Sequence, residues 1–213
     1  MRNMLVLIVM LVMVLAAGSS MAAPAVFVAS SENGGTFRTL DGNDLTNELY
    51  SQTSTDFAGV TVVTVAEVDA TSDGVELIIG RGDVLEIRSS QTYALLKSSA
   101  GHQQINSIAV GDVDETNDGP EIVIGQTWND GATDYGQLLV LDPDQAGIPL
   151  LDAFSWTNMW FTMDAVAVGD FVGSNEGLEI FAAYVWNTGT GGTQFSAYDY
   201  NPAGANAGER FVQ

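Results

Sequence analysis

Short apolar runs rich in β-branched residues alternate with turns along most of the chain, and they predict an all-β protein. Strands of this length, separated by Gly-rich and Asn-rich turns at regular spacing, are typical of β-sheet domains. No amphipathic helical stretch of useful length interrupts them. The predicted strands fall into three groups of three: Val60–Val63, Leu77–Ile79 and Val84–Ile87; Ile105–Val110, Ile122–Ile124 and Leu138–Leu141; Ala165–Val168, Ile180–Ala182 and Phe195–Tyr198.

One segment occurs three times in a register without gaps. Residues 65–80 read VAEVDATSDGVELIIG, residues 110–125 read VGDVDETNDGPEIVIG, and residues 168–183 read VGDFVGSNEGLEIFAA. The copies begin 45 and 58 residues apart, a spacing that suits one blade of a β-propeller. We therefore predict a β-propeller-like array of antiparallel blades at about 60–100, 105–155 and 162–205.

A partial unit precedes the three copies. The sequence VFVASSENGGTFRTLDGND, residues 26–44, resembles the second and third strands of a blade, which gives about three and a half repeats with a partial blade at 25–50. The tail Glu209–Gln213 could supply the missing strand beside Ala25–Ala29 and close a four-bladed ring, since closure removes exposed edges. The alternatives are an open array or an incomplete chain, in which the unpaired edge would allow self-association.

The loop between the first two strands of each copy is acidic. Side chains with carboxylate or hydroxyl oxygens recur at alternate positions before a buried strand, where like charges repel unless a cation joins them. Ca²⁺ takes six to eight oxygen ligands and tolerates irregular geometry. The predicted calcium ligands are Asp112, Asp114, Thr116, Asp118 and Glu121 in the second loop, Glu67, Asp69, Thr71, Asp73 and Glu76 in the first, and Asp170, Ser174, Glu176 and Glu179 in the third.

Two alternatives stay open for these loops. In the first, Ca²⁺ cross-links the first strand to the second. Disulfides have this role in other exported proteins, but this chain has no Cys. In the second, the loops are solvated acidic turns of a protein adapted to high salt. An EF-hand does not fit, because its loop needs Gly at position 6 and Glu at position 12, whereas Gly119 and Val123 stand at positions 8 and 12 here.

The N-terminus predicts export. Arg2 precedes an apolar run at residues 4–17, and small residues before Ala23 suit cleavage that leaves residues 23–213 as the mature domain. The run is short for a membrane span, and the lack of Cys rules out a lipidated Cys. We expect a secreted or surface protein without membrane insertion after cleavage of the signal peptide at residues 1–22.

The net charge of −21 limits the classes of molecule that the protein can bind. Nucleic acids and anionic membranes both need basic surface, so they are excluded as partners. The charge favours cations instead, and high external salt is a second explanation for it. Lys97 is the only lysine in the chain.

The second loop and its following strand resemble the FG-GAP and VCBS repeat families. The matching residues are Asp112, Asp114, Asp118, Gly119 and Glu121 with the apolar run that follows, against a family pattern D-x-D/N-x-D-G-x-x-D. This chain has two extra residues between the second Asp and the Asp-Gly pair. The resemblance implies calcium-binding β-propeller blades, and it implies binding or adhesion to a protein or glycan ligand on a surface rather than catalysis.

Aromatic residues offer a second kind of site. Trp128 and Trp186 occupy equivalent repeat positions, and Trp156 and Trp160 lie between the second and third copies. These side chains pack between blades or stack on a sugar or a partner protein. A lectin or a carbohydrate-active enzyme is therefore the alternative function, and a self-assembling surface subunit is another. With one His and no Cys, zinc and Cys–His chemistry lack ligands, and we expect no enzyme.

Overall fold

The structure is a computed structural model that describes residues 25–30, 35–54, 57–72, 74–114, 116–129, 134–155, 161–171, 177–186, 192–200 and 210–212. These residues form fifteen strands in four antiparallel sheets, which confirms the all-β prediction. The predicted signal peptide lies outside the described residues.

Each sheet is a meander of strands that follow one another in sequence. Sheet I contains β1 (Ala25–Ser30), β2 (Thr36–Asp41) and β3 (Asp44–Thr53). Sheet II contains β4 (Val60–Ala66), β5 (Glu76–Arg81), β6 (Val84–Ser89) and β7 (Leu95–Ala100). Sheet III contains β8 (Gln104–Gly111), β9 (Glu121–Asn129), β10 (Asp134–Leu141) and β11 (Leu150–Ser155). Sheet IV contains β12 (Phe161–Gly169), β13 (Glu179–Trp186), β14 (Gly192–Asp199) and β15 (Arg210–Val212).

Three apolar clusters join the sheets in chain order, I to II, II to III and III to IV. The second strand of a sheet serves two clusters at once. Leu77 and Ile79 of β5 pack toward sheet I, while Ile78 between them packs toward sheet III. Because both faces of β5 are covered, its sequence is a continuous apolar run rather than an alternating one. Each of these fully buried side chains contributes about 1.5–3 kcal/mol to folding.

The glycine that ends the first two copies of the repeat permits this close packing. A β-carbon on Gly80 would lie 2.8 Å from Cγ2 of Ile105 in sheet III. A β-carbon on Gly125 would lie 2.6 Å from Cγ of Met163 in sheet IV. Both distances are too short for carbon atoms, so the space between neighbouring sheets depends on the missing side chain. The third copy has Ala183 at this position.

All nine predicted strands of the three repeats are present, and each is extended by a few residues. The outer strands β3, β7 and β11 were not predicted. Their side chains are largely exposed, so they lack the apolar pattern that marks the inner strands.

The prediction for the C-terminal tail is wrong. It placed Glu209–Gln213 beside Ala25–Ala29, but β15 pairs antiparallel with β14 as the fourth strand of sheet IV. The tail therefore completes its own sheet. In sheet I, β1 has a single strand neighbour among the described strands, namely β2.

Candidate functional site

A buried glutamate begins the second strand of each repeat and holds the acidic loop before it. Glu76, Glu121 and Glu179 are fully buried. Oε2 of Glu121 accepts hydrogen bonds from the backbone N–H groups of Val113 at 2.9 Å and Asp114 at 3.0 Å. Burial raises the pKa of Glu121. The two backbone hydrogen bonds and a third from the side chain of Asn117 lower it in part. The carboxylate therefore folds the loop back onto its strand.

The same contact recurs in the other two loops. Oε2 of Glu76 accepts from the N–H groups of Val68 at 2.9 Å and Asp69 at 3.3 Å. Oε2 of Glu179 accepts from the N–H of Phe171 at 2.7 Å. Three glutamates were predicted as metal ligands, and the structure uses one oxygen of each to bind backbone amides.

The second acidic residue of each of the first two loops, an aspartate in both, closes a local turn. Oδ1 of Asp114 accepts from the N–H of Thr116 at 2.9 Å and from its hydroxyl at 2.6 Å. Oδ1 of Asp69 accepts from the same groups of Thr71 at 3.0 and 2.5 Å, and the hydroxyl bond is the main reason that the pKa of Asp69 is lowered. Thr71 and Thr116 thus bind the aspartates, leaving Oδ2 of each aspartate to other partners.

The glycine near each loop tip has a left-handed backbone conformation. Gly74, Gly119 and Gly177 have φ values of +86°, +96° and +101°. Residues with a β-carbon rarely adopt this region. This glycine and the local hydrogen bonds therefore shape the turn at each loop tip.

The first two loops differ in their countercharge. Nζ of Lys97 lies 3.2 Å from Oδ2 of Asp69 and donates to the carbonyl of Pro143 at 2.7 Å. The first loop therefore has an ammonium group on its aspartate. In the strand pairing, Lys97 lies opposite Ile87, and the matching position in sheet III is Asp152, opposite Val140. A carboxylate thus replaces the only lysine.

The glutamates of the two loops also differ. Oε1 of Glu121 accepts from Nδ2 of Asn117 at 3.0 Å. Oε1 of Glu76 is buried, and no group in the described part of the chain binds it. Ser72 stands where the second loop has Asn117, and its side chain is too short to copy that bond. The first loop therefore keeps a buried carboxylate oxygen that lacks a described donor.

Additional acidic groups lie around the second loop. A β-carbon on Gly119 would lie 3.0 Å from Oδ2 of Asp144, so this carboxylate lies over the loop tip. Burial raises the pKa of Tyr200 to about 12, and the negative charges of Asp114, Asp152 and Glu121 add to the rise. Tyr200 follows β14, so sheet IV reaches this loop. Asp144, Asp152 and Tyr200 were not predicted as site residues, because they come from distant positions in the chain.

The described basic side chains have carboxylate partners elsewhere. Arg81 and Arg88 both bind the buried Glu86, at 2.7 and 2.8 Å. Arg38 lies 3.5 Å from Glu48 in an exposed pair, and Lys97 pairs with Asp69. For the second loop, no ion pair with a basic side chain is found within the described residues.

The remaining predicted ligands are spread out. Glu67, Asp112, Asp118 and Asp170 are exposed. In the described part of the chain, no group of three or more Asp, Glu or His side chains lies in an arrangement that could hold a metal ion. Asp73, Ser174 and Glu176 lie outside the described residues. The structure thus brings together the buried Asp and Glu of each of the first two loops, and leaves the outer carboxylates at the surface.

Of the predicted aromatic site, one side chain is described. Trp128, near the end of β9, is 40% exposed and stacks on Tyr135 of β10 with ring centroids 4.8 Å apart. Trp186 ends β13, and its side chain is not described. Trp156 and Trp160 lie outside the described residues.

Comparison with known proteins gives no family and only distant structural likeness. No protein-family model matches the chain, and no curated protein matches it. Among solved structures, the chain is similar to BBS1N in its crystal structure in complex with ARL6DN, soaked with lead. The TM-score is 0.49 and the sequence identity is 11%. The likeness covers 89% of this chain and 61% of that chain.

Within the described residues, no helix has the length and apolar character needed to cross a bilayer.

Proposed function

We propose that the protein is an exported binding module of β-propeller-like architecture, whose acidic loops take Ca²⁺. The architecture is supported by the four meander sheets and by the apolar clusters that join them in sequence order. The acidic loops occupy the same place in successive sheets, between the first strand and the second. Acids that recur at repeat positions favour a structural role, which supports binding rather than catalysis.

The observation that carries the calcium proposal is the charge of the second loop, for which the described residues supply no basic partner. Asp114 is nearly buried, and the field of Asp114, Asp152 and Glu121 contributes to the high pKa of Tyr200. The equivalent aspartate of the first loop has the ammonium of Lys97. A cation at the second loop would supply the charge that Lys97 supplies at the first.

The carboxylates of the second loop are of the type that an oxygen-binding cation takes, but within the described residues no three of them lie close enough together to hold one. One oxygen of Glu121 and one of Asp114 hold the loop, so a bound ion would have to draw the exposed Asp112 and Asp118 toward the second oxygen of Asp114. In the first loop, the orphaned Oε1 of Glu76 is a further candidate ligand. When bound, Ca²⁺ supplies positive charge and cross-links the loop to its strands.

The test is calorimetric titration of the chelated protein with calcium chloride at moderate salt, together with thermal unfolding. A ligand that binds only the folded state stabilises it by about 2.7 kcal/mol at a hundredfold excess over Kd. We expect millimolar Ca²⁺ to raise the melting temperature and EDTA to lower it. If sodium chloride of equal ionic strength reproduces the whole effect, screening explains the stabilisation and the calcium sites are wrong.

A further inference from the structure

A groove of about 550 Å³ lies between sheets II and III, and its lining contains no residue of the acidic loops. Its walls are the segment at residues 99–103, where β7 leads into β8, and the surface of β9, β10 and β11. A volume of this size is typical of small-molecule sites. The floor is formed by Leu139, Leu141 and Ile148, which also belong to the apolar cluster between the two sheets.

The lining of the groove is uncharged. Among the described residues, it contains no Asp, Glu, Lys or Arg. Besides the phenol of Tyr135, its titratable side chain is His102, and burial lowers the pKa of His102, which favours the neutral imidazole. In a protein with 27 acidic residues and a net charge of −21, an uncharged groove selects against charged ligands. A cation would find its partners elsewhere on the surface, and an anion would be repelled by the whole protein.

One wall presents a fixed aromatic face. Trp128 and Tyr135 are opposite residues of β9 and β10, and their rings are stacked at an angle of 28°. The cross-strand pair holds Trp128 in place while 40% of it stays exposed. The apolar C–H face of a pyranose ring packs well on such a surface, because the ring presents a flat apolar body of similar width.

Polar groups with set orientations lie beside the aromatic face. Gln126 is almost fully buried; its Oε1 accepts from the N–H of Gln103 at 3.0 Å, and its amide donates to Oε1 of Gln137. Nε2 of His102 and Oγ of Ser99 are 3.1 Å apart. A small number of placed amide and hydroxyl groups around an apolar floor gives a site its specificity for ligand hydroxyl groups.

We propose that this groove binds a neutral mono- or disaccharide, stacked on Trp128 and hydrogen-bonded by the amide and hydroxyl groups of its walls. This deepens the proposed binding function, because it names the ligand class and places its site. It does not depend on calcium, since the lining holds no carboxylate. An uncharged peptide is the competing occupant, and the polar groups placed beside the aromatic face favour the sugar.

The test is saturation-transfer NMR with the full chain and a panel of glucose, galactose, mannose, N-acetylglucosamine, lactose and cellobiose. Glucuronate and an uncharged apolar peptide are included as competitors of different chemistry. Parallel samples in EDTA and in calcium chloride separate the groove from the calcium sites. We expect transfer to the ring C–H protons of at least one neutral sugar in both buffers, and at least tenfold weaker binding of glucuronate.

Two variants and one control locate the binding. Trp128→Ala should weaken it at least tenfold. Ala153→Arg places a long side chain into the groove from an exposed position of β11, so it should abolish binding while the protein stays folded. Phe195→Ala removes an exposed, stacked aromatic ring of sheet IV and should leave binding unchanged. Transfer to no sugar, transfer that survives Ala153→Arg, or transfer to the peptide alone would each overturn the proposal.

Discussion

Nζ of Lys97 lies 3.2 Å from Oδ2 of Asp69, so the only lysine of this acidic chain neutralises a nearly buried loop aspartate. The same ammonium donates to the carbonyl of Pro143 in the loop that follows β10. One side chain therefore ties the first acidic loop to the neighbouring sheet. In the first loop, a lysine from a neighbouring strand thus supplies the countercharge of a buried carboxylate.

Lys97→Met should destabilise the calcium-free protein by about 1–3 kcal/mol, since the variant leaves a buried carboxylate oxygen and a carbonyl without their charged donor. Urea unfolding in EDTA measures this. Arg38→Met is the matched control, because the Arg38–Glu48 pair is exposed and such pairs contribute little. Equal losses in the two variants would show that Lys97 is not a special partner of Asp69.

Glu121→Ala should cost about 2–5 kcal/mol even in EDTA, because it leaves the buried N–H groups of Val113 and Asp114 without an acceptor. Asp118→Ala is the control, since Asp118 is exposed and belongs to the same loop. It should change the stability of the metal-free protein little. If Glu121→Ala is harmless in EDTA and harmful only with Ca²⁺, Glu121 is a metal ligand and not a loop anchor.

Asp114→Ala should weaken Ca²⁺ binding more than Asp170→Ala. The third loop has Val172 at the position of Asp114, so it lacks one of the acids that the second loop carries. Calorimetric titration of both variants with calcium chloride gives the comparison. Equal losses of affinity at the two sites would contradict the ligand assignment.

Gly125→Ala should destabilise the protein by about 1–3 kcal/mol, because the new methyl group would overlap Met163 of sheet IV. The control is the reverse change at the equivalent position of the last repeat. Ala183→Gly should cost less than about 1 kcal/mol, the usual effect of glycine in a strand. A neutral Gly125→Ala would mean that sheets III and IV lie farther apart than described.

His102 gives a pH dependence that can be measured on a single residue, because the chain has no other histidine. Burial lowers the pKa of His102, and the charge of Asp83 offsets part of the shift. The unfolded chain therefore binds the proton more readily than the folded protein, so stability should fall as the pH drops below about 6.5 toward the folded pKa. Proton NMR should show a pKa below 6.5. In urea unfolding, the His102→Gln variant should lose this part of the pH dependence of the free energy of unfolding. If the free energy of unfolding changes with pH equally in the variant and the parent protein, the prediction is wrong.

Features that depend on local chemistry and on repetition could be predicted from the amino-acid sequence. The period of the strands, the register of the three acidic loops and the positive φ of Gly119 could all be read from residues close together in the chain. The same holds for the continuous apolar run at Ile122–Ile124, since a strand covered on both faces has no polar side to show. These properties are local, and they recur wherever the same few residues recur.

Contacts between groups that are distant in the chain depend on how the sheets pack together. Lys97 is 28 residues from Asp69, and Asp152 and Tyr200 lie still farther from Asp114, so no spacing rule predicts these neighbours. The pairing of β15 with β14 was missed because a three-residue strand carries too little pattern to select its partner. The uncharged groove beside Trp128 depends likewise on two sheets coming together. These contacts depend on how the sheets pack. That packing buries apolar surface from many separate segments, so no single segment predicts it.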